Sequence, residues 1–145
     1  MVLFKKDAGV EAYYLCDKRI MYYRLADMRR NTVDAWVSII GEHFAHCAKL
    51  HIAIASLNHF LAENVLPTPY SNARGSDIAA MMPDLQGYTA FAMPESQQSV
   101  VMQAYMRTQM EPTRERILFF TAEQSYEWLK KKLDITCDDP LPSSS

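Results

Sequence analysis

Short apolar segments alternate along this chain with segments whose apolar residues recur at helical spacing, and this alternation constrains the fold most strongly. Five segments have the composition of strands: Val10–Leu15, Ile20–Leu25, 50–55, 87–93 and 116–120. Four others have helical spacing: 33–48, 73–82, 96–110 and the segment after residue 121. Strands separated by helices pair in parallel through crossover connections. The sequence therefore predicts an α/β fold: a mixed, mostly parallel sheet of about five strands, with an N-terminal antiparallel hairpin and about four helices.

The first and last of these helices carry the clearest signals. The first has one apolar stripe and a possible cap for its first turn in Asn31 or Thr32; the stripe consists of Val33, Trp36, Val37, Ile40, Phe44, Cys47 and Ala48. The last helix begins after Thr121, and Thr121 and Gln124 have the spacing of a capping box.

Composition is typical of a globular domain. The 145 residues are 49% hydrophobic and 22% charged, and the net charge is −2 with an isoelectric point near 6.1. This charge gives no reason to expect nucleic-acid binding, which needs a concentrated excess of Lys and Arg. Residues 1–137 are predicted to form a single domain. Residues 138–145, with little to bury and two prolines, are predicted to be a disordered tail.

The cysteines and the lengths of the apolar segments are the basis for predicting the cellular compartment. Cys16, Cys47 and Cys137 are odd in number and far apart, which favours neither a disulfide framework nor a CxxC motif and suggests a reducing compartment. No window approaches the roughly 20 apolar residues of a membrane span, and the N-terminus lacks the apolar stretch of a signal peptide. We therefore expect a cytoplasmic protein without a membrane span.

The second half of the chain resembles a known family. The segment 88–93, the amphipathic helix after it and the segment 116–129 are similar to the closing strand-helix-strand-helix of STAS-like proteins of the sporulation anti-sigma-factor-antagonist type. This resemblance implies a non-enzymatic regulatory domain that docks to a protein partner, often as a homodimer. In such antagonists a serine is phosphorylated. The Asp-Ser-Ser-Gly-like loop is missing here, and Ser56 is the candidate by position.

Methionines provide a second candidate for an interface. Met102, Met106 and Met110 lie on the helix 96–110, away from the stripe formed by Val100, Ala104 and Tyr105. Flexible thioethers suit an adaptable contact surface or an apolar pocket. Core filling is the commoner use of methionine, and the position of these three away from the stripe makes part of an exposed apolar patch the candidate interface.

Catalytic and metal-binding motifs give little support to enzyme function. His43 and His46 lie three residues apart on one helix, near Glu42, but a zinc site needs further converging ligands. There is no Gly-x-Ser-x-Gly elbow and no GxGxxG or Walker loop. The sequence therefore predicts no catalytic residues, no metal and no cofactor.

Three functional hypotheses remain. The first is a STAS-like interaction domain, with a packed interior and an exposed apolar surface. The second is a carrier of a small apolar ligand, with a cavity between the sheet and the helices at 70–82 and 96–110. The third is an enzyme, which would require several polar residues around one pocket, drawn from His43, His46, His51, His59, Glu63 and Asp77.

Overall fold

The computed structural model describes residues 1–108 and 113–142. Its strands are β1 (Val2–Asp7), β2 (Val10–Leu15), β3 (Ile20–Leu25), β4 (Ile54–Phe60), β5 (Gly87–Ala92) and β6 (Arg114–Phe119). Its helices are α1 (Arg30–Leu50), α2 (Pro69–Ala80), α3 (Gln97–Thr108) and α4 (Ala122–Leu133).

The described strands form one sheet in chain order, β1-β2-β3-β4-β5-β6. The first three strands pair antiparallel, and β3 to β6 pair in parallel. The predicted α/β class, the hairpin and the parallel remainder are confirmed. The sheet has one strand more than expected, because β1 is mostly exposed and so lacks the apolar alternation by which strands are recognised.

The helices cover the two faces of the sheet unequally. The first core joins side chains of β2, β3 and β4 to α1, and partly buried residues of α2 and α3 pack against it. The second core lies on the opposite face, where α4 packs over the central strands through Tyr126 and Leu129. Three helices thus share one face, which we call the three-helix face.

The boundaries of α1 differ from the prediction at both ends. The helix starts after Arg29, so neither Asn31 nor Thr32 is its N-cap residue. Asn31 Oδ1 accepts a hydrogen bond from Thr32 N in the first turn at 2.9 Å, whereas the Thr32 hydroxyl accepts one from Gly9 N at 2.9 Å. It runs to Leu50 and ends at His51, which is left-handed at φ 55°. The segment 50–55, predicted as a strand, is therefore the end of α1, a turn and the start of β4.

The orientation of α3 is the reverse of the prediction. Val100, Val101 and Tyr105 are 46%, 68% and 63% exposed, whereas Met102 and Met106 are partly buried against the core of the three-helix face. The helical spacing was recognised correctly, but the wrong face was assigned to the core. Met110 lies outside the described residues.

The C-terminal segment is tied to the start of the second hairpin turn. Cys16 and Cys137 form a disulfide across 121 residues of sequence, which corrects the expectation of three unpaired cysteines. Asp139 accepts a hydrogen bond from Cys16 N at 2.8 Å, so part of the tail predicted to be disordered has a defined contact. Spacing along the chain did not reveal this pair because the fold, and not the sequence, brings the two ends together. Separately, no described helix combines the length and apolar character that crossing a bilayer requires.

Candidate functional site

A cavity of about 1000 Å³ lies on the three-helix face, between the sheet and α1, α2 and α3. Its origin is the spacing of the helices. Helix α1 packs on β1 to β4 and α3 packs on β6, while the main contact of α2 is with α1 and not with the sheet. The sheet surface between α1 over β4 and α3 over β6 is therefore not covered directly on this face, and α2 forms a roof over it.

The walls of the cavity are mainly apolar. Side chains of α1, the sheet and α3 contribute to the lining; among them are Val33, Trp36, Val37, Ile40, Phe44, Phe60, Phe91, Met102 and Met106. Exposed Val101 and Tyr105 also line it, together with exposed residues of α2, and they mark the side on which the cavity opens to solvent.

The floor carries a group of polar side chains. Ser56 on β4, Thr89 on β5 and Arg116 on β6 line the cavity and are direct neighbours across the parallel strands. Asn58 lies two residues beyond Ser56 on the same face of β4, as the alternation of a strand requires. Ser56 and Asn58 are only 4% and 3% exposed, so the fold places polar groups at the closed end of an apolar chamber.

A hydrogen bond fixes the orientation of Asn58. Trp36 Nε1 donates to Asn58 Oδ1 at 3.1 Å, and indole nitrogen can only donate. The amide oxygen is therefore used by Trp36, and the amide –NH₂ remains as a donor for the cavity.

Arg114 also lines the cavity, but its contacts are structural. Its Nη2 donates to the carbonyl oxygens of Met81 and Met82 at 2.5 and 2.6 Å, and its guanidinium lies 4.9 Å from the centre of the Phe44 ring. Because the side chain is 7% exposed and bonds to the end of α2, it holds this helix over the sheet.

The six residues considered for an enzyme site are not brought together. None of them is among the described residues that line the cavity. His43 is buried on α1, His51 is exposed at the end of α1, and Asp77 pairs with Arg74 on α2. His59 Nδ1 on β4 and the Tyr22 hydroxyl on β3 share a hydrogen bond of 2.6 Å. His46 packs against Tyr14, and Glu63 is exposed.

Burial shifts the titration of the α1 residues. Burial lowers the pKa of His43 to about 4, and the nearby His46 adds to this effect. Burial likewise raises the pKa of Cys47 to about 11. A neutral imidazole and a protonated thiol 3.7 Å apart (Nε2 to Sγ) form packing contacts within the core.

The structure places several predicted site residues in the cavity. Met102 and Met106 line it instead of forming an exposed patch. Ser56 lies inside β4 with its side chain toward the cavity, so phosphorylation, which stays a prediction, would require a kinase to reach a buried hydroxyl.

Sequence reasoning missed Asn58, Thr89 and Arg116. A signal for Asn58 was present, because Ser56 and Asn58 alternate with apolar residues in β4, whereas buried parallel strands usually have continuous apolar runs. Thr89 and Arg116 had no comparable signal, since their position depends on register.

Comparison with known proteins adds no identification. No family model, curated protein or solved structure matches the chain. The resemblance to STAS-like proteins therefore stays a prediction.

Proposed function

We propose that this domain binds a small, mostly apolar ligand in the cavity of the three-helix face and does not transform it. The supporting observation is the cavity itself, which has a volume of about 1000 Å³ and lies beside a core of buried apolar residues. Ligand sites commonly have volumes of about 300–1,000 Å³ and apolar walls with a few polar groups. A purely structural interior would leave no such volume, because protein cores are packed as densely as organic crystals.

The residues around the cavity favour binding over catalysis. The polar floor has hydroxyl, amide and guanidinium groups, but among its described residues no histidine, cysteine, aspartate or glutamate that could act as a nucleophile or a general base. Binding and release are the chemistry that this set of groups supports.

A neutral dye tests the proposed site. N-phenyl-1-naphthylamine emits more strongly in apolar surroundings, and we expect saturable binding of one dye per chain. Val37→Trp fills part of the cavity and should weaken dye binding by at least about tenfold, which corresponds to about 1.4 kcal/mol. Ser38→Trp adds the same side chain at the next, exposed position of α1 and should leave binding unchanged.

The dye experiment can reject the proposal. Absence of saturable dye binding to the folded protein would contradict it, as would equal binding by the two tryptophan variants. Circular dichroism and thermal melting confirm that each variant is folded. Native mass spectrometry of the purified protein provides an independent test, because a retained ligand appears as added mass.

A second candidate function is a regulatory interaction domain of STAS-like type that acts as a homodimer. The observation in its favour is the outer face of α3, where Val100, Val101 and Tyr105 are exposed side by side. A second copy of this chain seated there would cover these residues and close the opening of the cavity, since two of them line it. Sedimentation velocity tests this candidate: Val101→Glu should convert a dimer to a monomer, and a wild-type protein that is monomeric at all concentrations rejects it.

A further inference from the structure

Two polar side chains at the closed end of the cavity have hydrogen-bonding groups to offer a ligand. Ser56 and Asn58 are 4% and 3% exposed, and both line the cavity. The Ser56 hydroxyl and the Asn58 amide nitrogen make no hydrogen bond with another described residue. Because polar groups buried this deeply are normally hydrogen-bonded, these two are the groups that a ligand would satisfy.

The hydrogen bond between Trp36 and Asn58 decides which kind of ligand group fits. Trp36 Nε1 donates to Asn58 Oδ1, so Asn58 presents its –NH₂, which can only donate, to the cavity. The Ser56 hydroxyl can donate as well. The two residues lie on one face of β4, about 6.6 Å apart along the strand, so one oxygen atom between them is within hydrogen-bond reach of both. A carbonyl oxygen, which has two lone pairs, suits this position.

The closed end of the cavity carries no charge among the described residues. The charged side chains of the described lining are Arg114, which bonds to the end of α2, and Arg116, which is exposed on the edge strand β6. Ser56 and Asn58 are neutral, and their neighbours in the lining are mainly apolar. An ion that reached them would lose its hydration without gaining a counter-ion, which is costly.

We infer that the ligand carries a neutral carbonyl group, which accepts hydrogen bonds from Ser56 and Asn58, on an apolar body that lies against Trp36 and Phe91. Ketones and esters with a long apolar part belong to this class. This inference rests on the proposed function, since it names the ligand class of the same cavity.

Two ligands that differ only in the carbonyl group test this inference. Nonan-2-one and 2-methylnon-1-ene have nearly the same shape, but a methylene group replaces the carbonyl oxygen in the second. Both are measured within their aqueous solubility by displacement of N-phenyl-1-naphthylamine, after the dye affinity of each variant has been determined. Ser56→Ala should weaken nonan-2-one about fivefold, because one hydrogen bond is lost, and should change 2-methylnon-1-ene by less than about twofold. Ser38→Ala removes the same hydroxyl from an exposed position of α1 outside the lining and should change neither affinity.

A second pair of variants tests the donor at Asn58. Asn58→Asp keeps the oxygen that Trp36 uses and replaces the donating –NH₂ by an accepting oxygen, so it should weaken nonan-2-one at least about tenfold. Asn31→Asp adds the same charge at an exposed position of α1 outside the lining and should leave nonan-2-one unchanged. Circular dichroism shows whether each variant is folded, and if Asn58→Asp is not, the two serine variants decide.

Nonanoate tests the neutrality of the ligand, because it carries a charged carboxylate on a chain of the same length. It should displace the dye at least about tenfold less effectively than nonan-2-one. Stronger displacement by nonanoate than by nonan-2-one would show that the cavity prefers an anion.

The possible outcomes separate this inference from the proposed function. If the dye binds but nonan-2-one does not displace it, the carbonyl ligand class is wrong and the apolar site stands. The same conclusion follows if Ser56→Ala weakens both ligands equally or behaves like Ser38→Ala. If the dye itself does not bind, the proposed function fails and the ligand class fails with it.

Discussion

Among single residues, His43 couples the stability of the domain to pH. Burial lowers its pKa to about 4, from 6.5 in an exposed ring. As the pH falls, the unfolded chain therefore takes up this proton before the folded chain does. We expect the free energy of unfolding to decrease by about 2 kcal/mol between pH 7 and pH 5, and further down to about pH 4. Urea denaturation at a series of pH values measures this change.

Histidine variants separate the contribution of His43 from other titrating groups. Burial also lowers the pKa of His59, so this residue acts in the same direction. His43→Leu should reduce the pH dependence without removing it. His51→Asn, at the exposed left-handed end of α1, should retain it in full. Equal stability of the wild-type protein at pH 7 and pH 5 would contradict the assignment.

Arg114 is the residue on which the position of α2 depends. Its guanidinium donates to the carbonyl oxygens of Ile78, Met81, Met82 and Leu85, of which those of Ile78 and Met82 also accept backbone hydrogen bonds. We expect Arg114→Met to lower the free energy of unfolding by about 2 kcal/mol, because the charge-assisted hydrogen bonds to the carbonyl oxygens of Met81 and Leu85 are lost. The corresponding change at an exposed site, Arg107→Met, should stay within about 0.5 kcal/mol of wild type. Chemical denaturation compares the two, and similar losses would contradict a structural function of Arg114.

At the level of helices and strands, the sequence predicted which segments are regular but not always which side they bury. Helix α3 shows the reason: Val100, Val101 and Tyr105 form one apolar group, and Met102 and Met106 form another. Helical period identifies such a segment, but two apolar sides leave its orientation to tertiary contacts. Strand β1 was missed for the opposite reason, since its exposed side chains carry no burial pattern at all.

The disulfide between Cys16 and Cys137 joins the C-terminal segment to the sheet. Cross-linking positions so far apart restricts the unfolded chain strongly, and such bonds typically contribute about 2–4 kcal/mol. We expect reduction by dithiothreitol to lower the denaturation midpoint and to expose the segment after α4 to proteolysis.

Cysteine variants check that this effect comes from the disulfide. The double variant Cys16→Ser with Cys137→Ser should match the reduced wild type and should not respond to dithiothreitol. Thiol titration of the unreduced, unfolded protein should find one free cysteine, Cys47. Three free thiols would contradict the disulfide and favour the reducing compartment expected from the sequence.

For the molecule as a whole, the order of helices and strands in the sequence predicted the parallel pairing of the strands, but it did not predict the cavity. Helix-separated strands such as β4 and β5 predict parallel pairing, and the structure confirms it. The volume over these strands depends on how far α1 and α3 stand apart on the same face, and no local pattern encodes that distance. The hypothesis of a ligand carrier named two of the bounding helices, α2 and α3, but it did not name α1, which also lines the cavity.

Helices α2 and α3, which enclose the cavity together with α1, should be the most mobile elements around it. Helix α2 has no buried residue and α3 has only Ser99, whereas ten residues of α1 are buried. Few buried contacts permit local opening at low free energy, which gives ligands a route to the floor. We expect amide hydrogens of α2 and α3 to exchange with deuterium much faster than those of α1, β3 and β4.

Ligand binding should then act selectively on these two helices. N-phenyl-1-naphthylamine should slow exchange in α2 and α3, since occupancy of the cavity adds contacts to both. Helix α4 packs on the opposite face of the sheet and provides an internal control whose exchange should stay the same. Slowing of equal size in α4 would indicate general stabilisation of the protein. If α2 exchanges as slowly as α1 in the ligand-free protein, the roof does not open in this way.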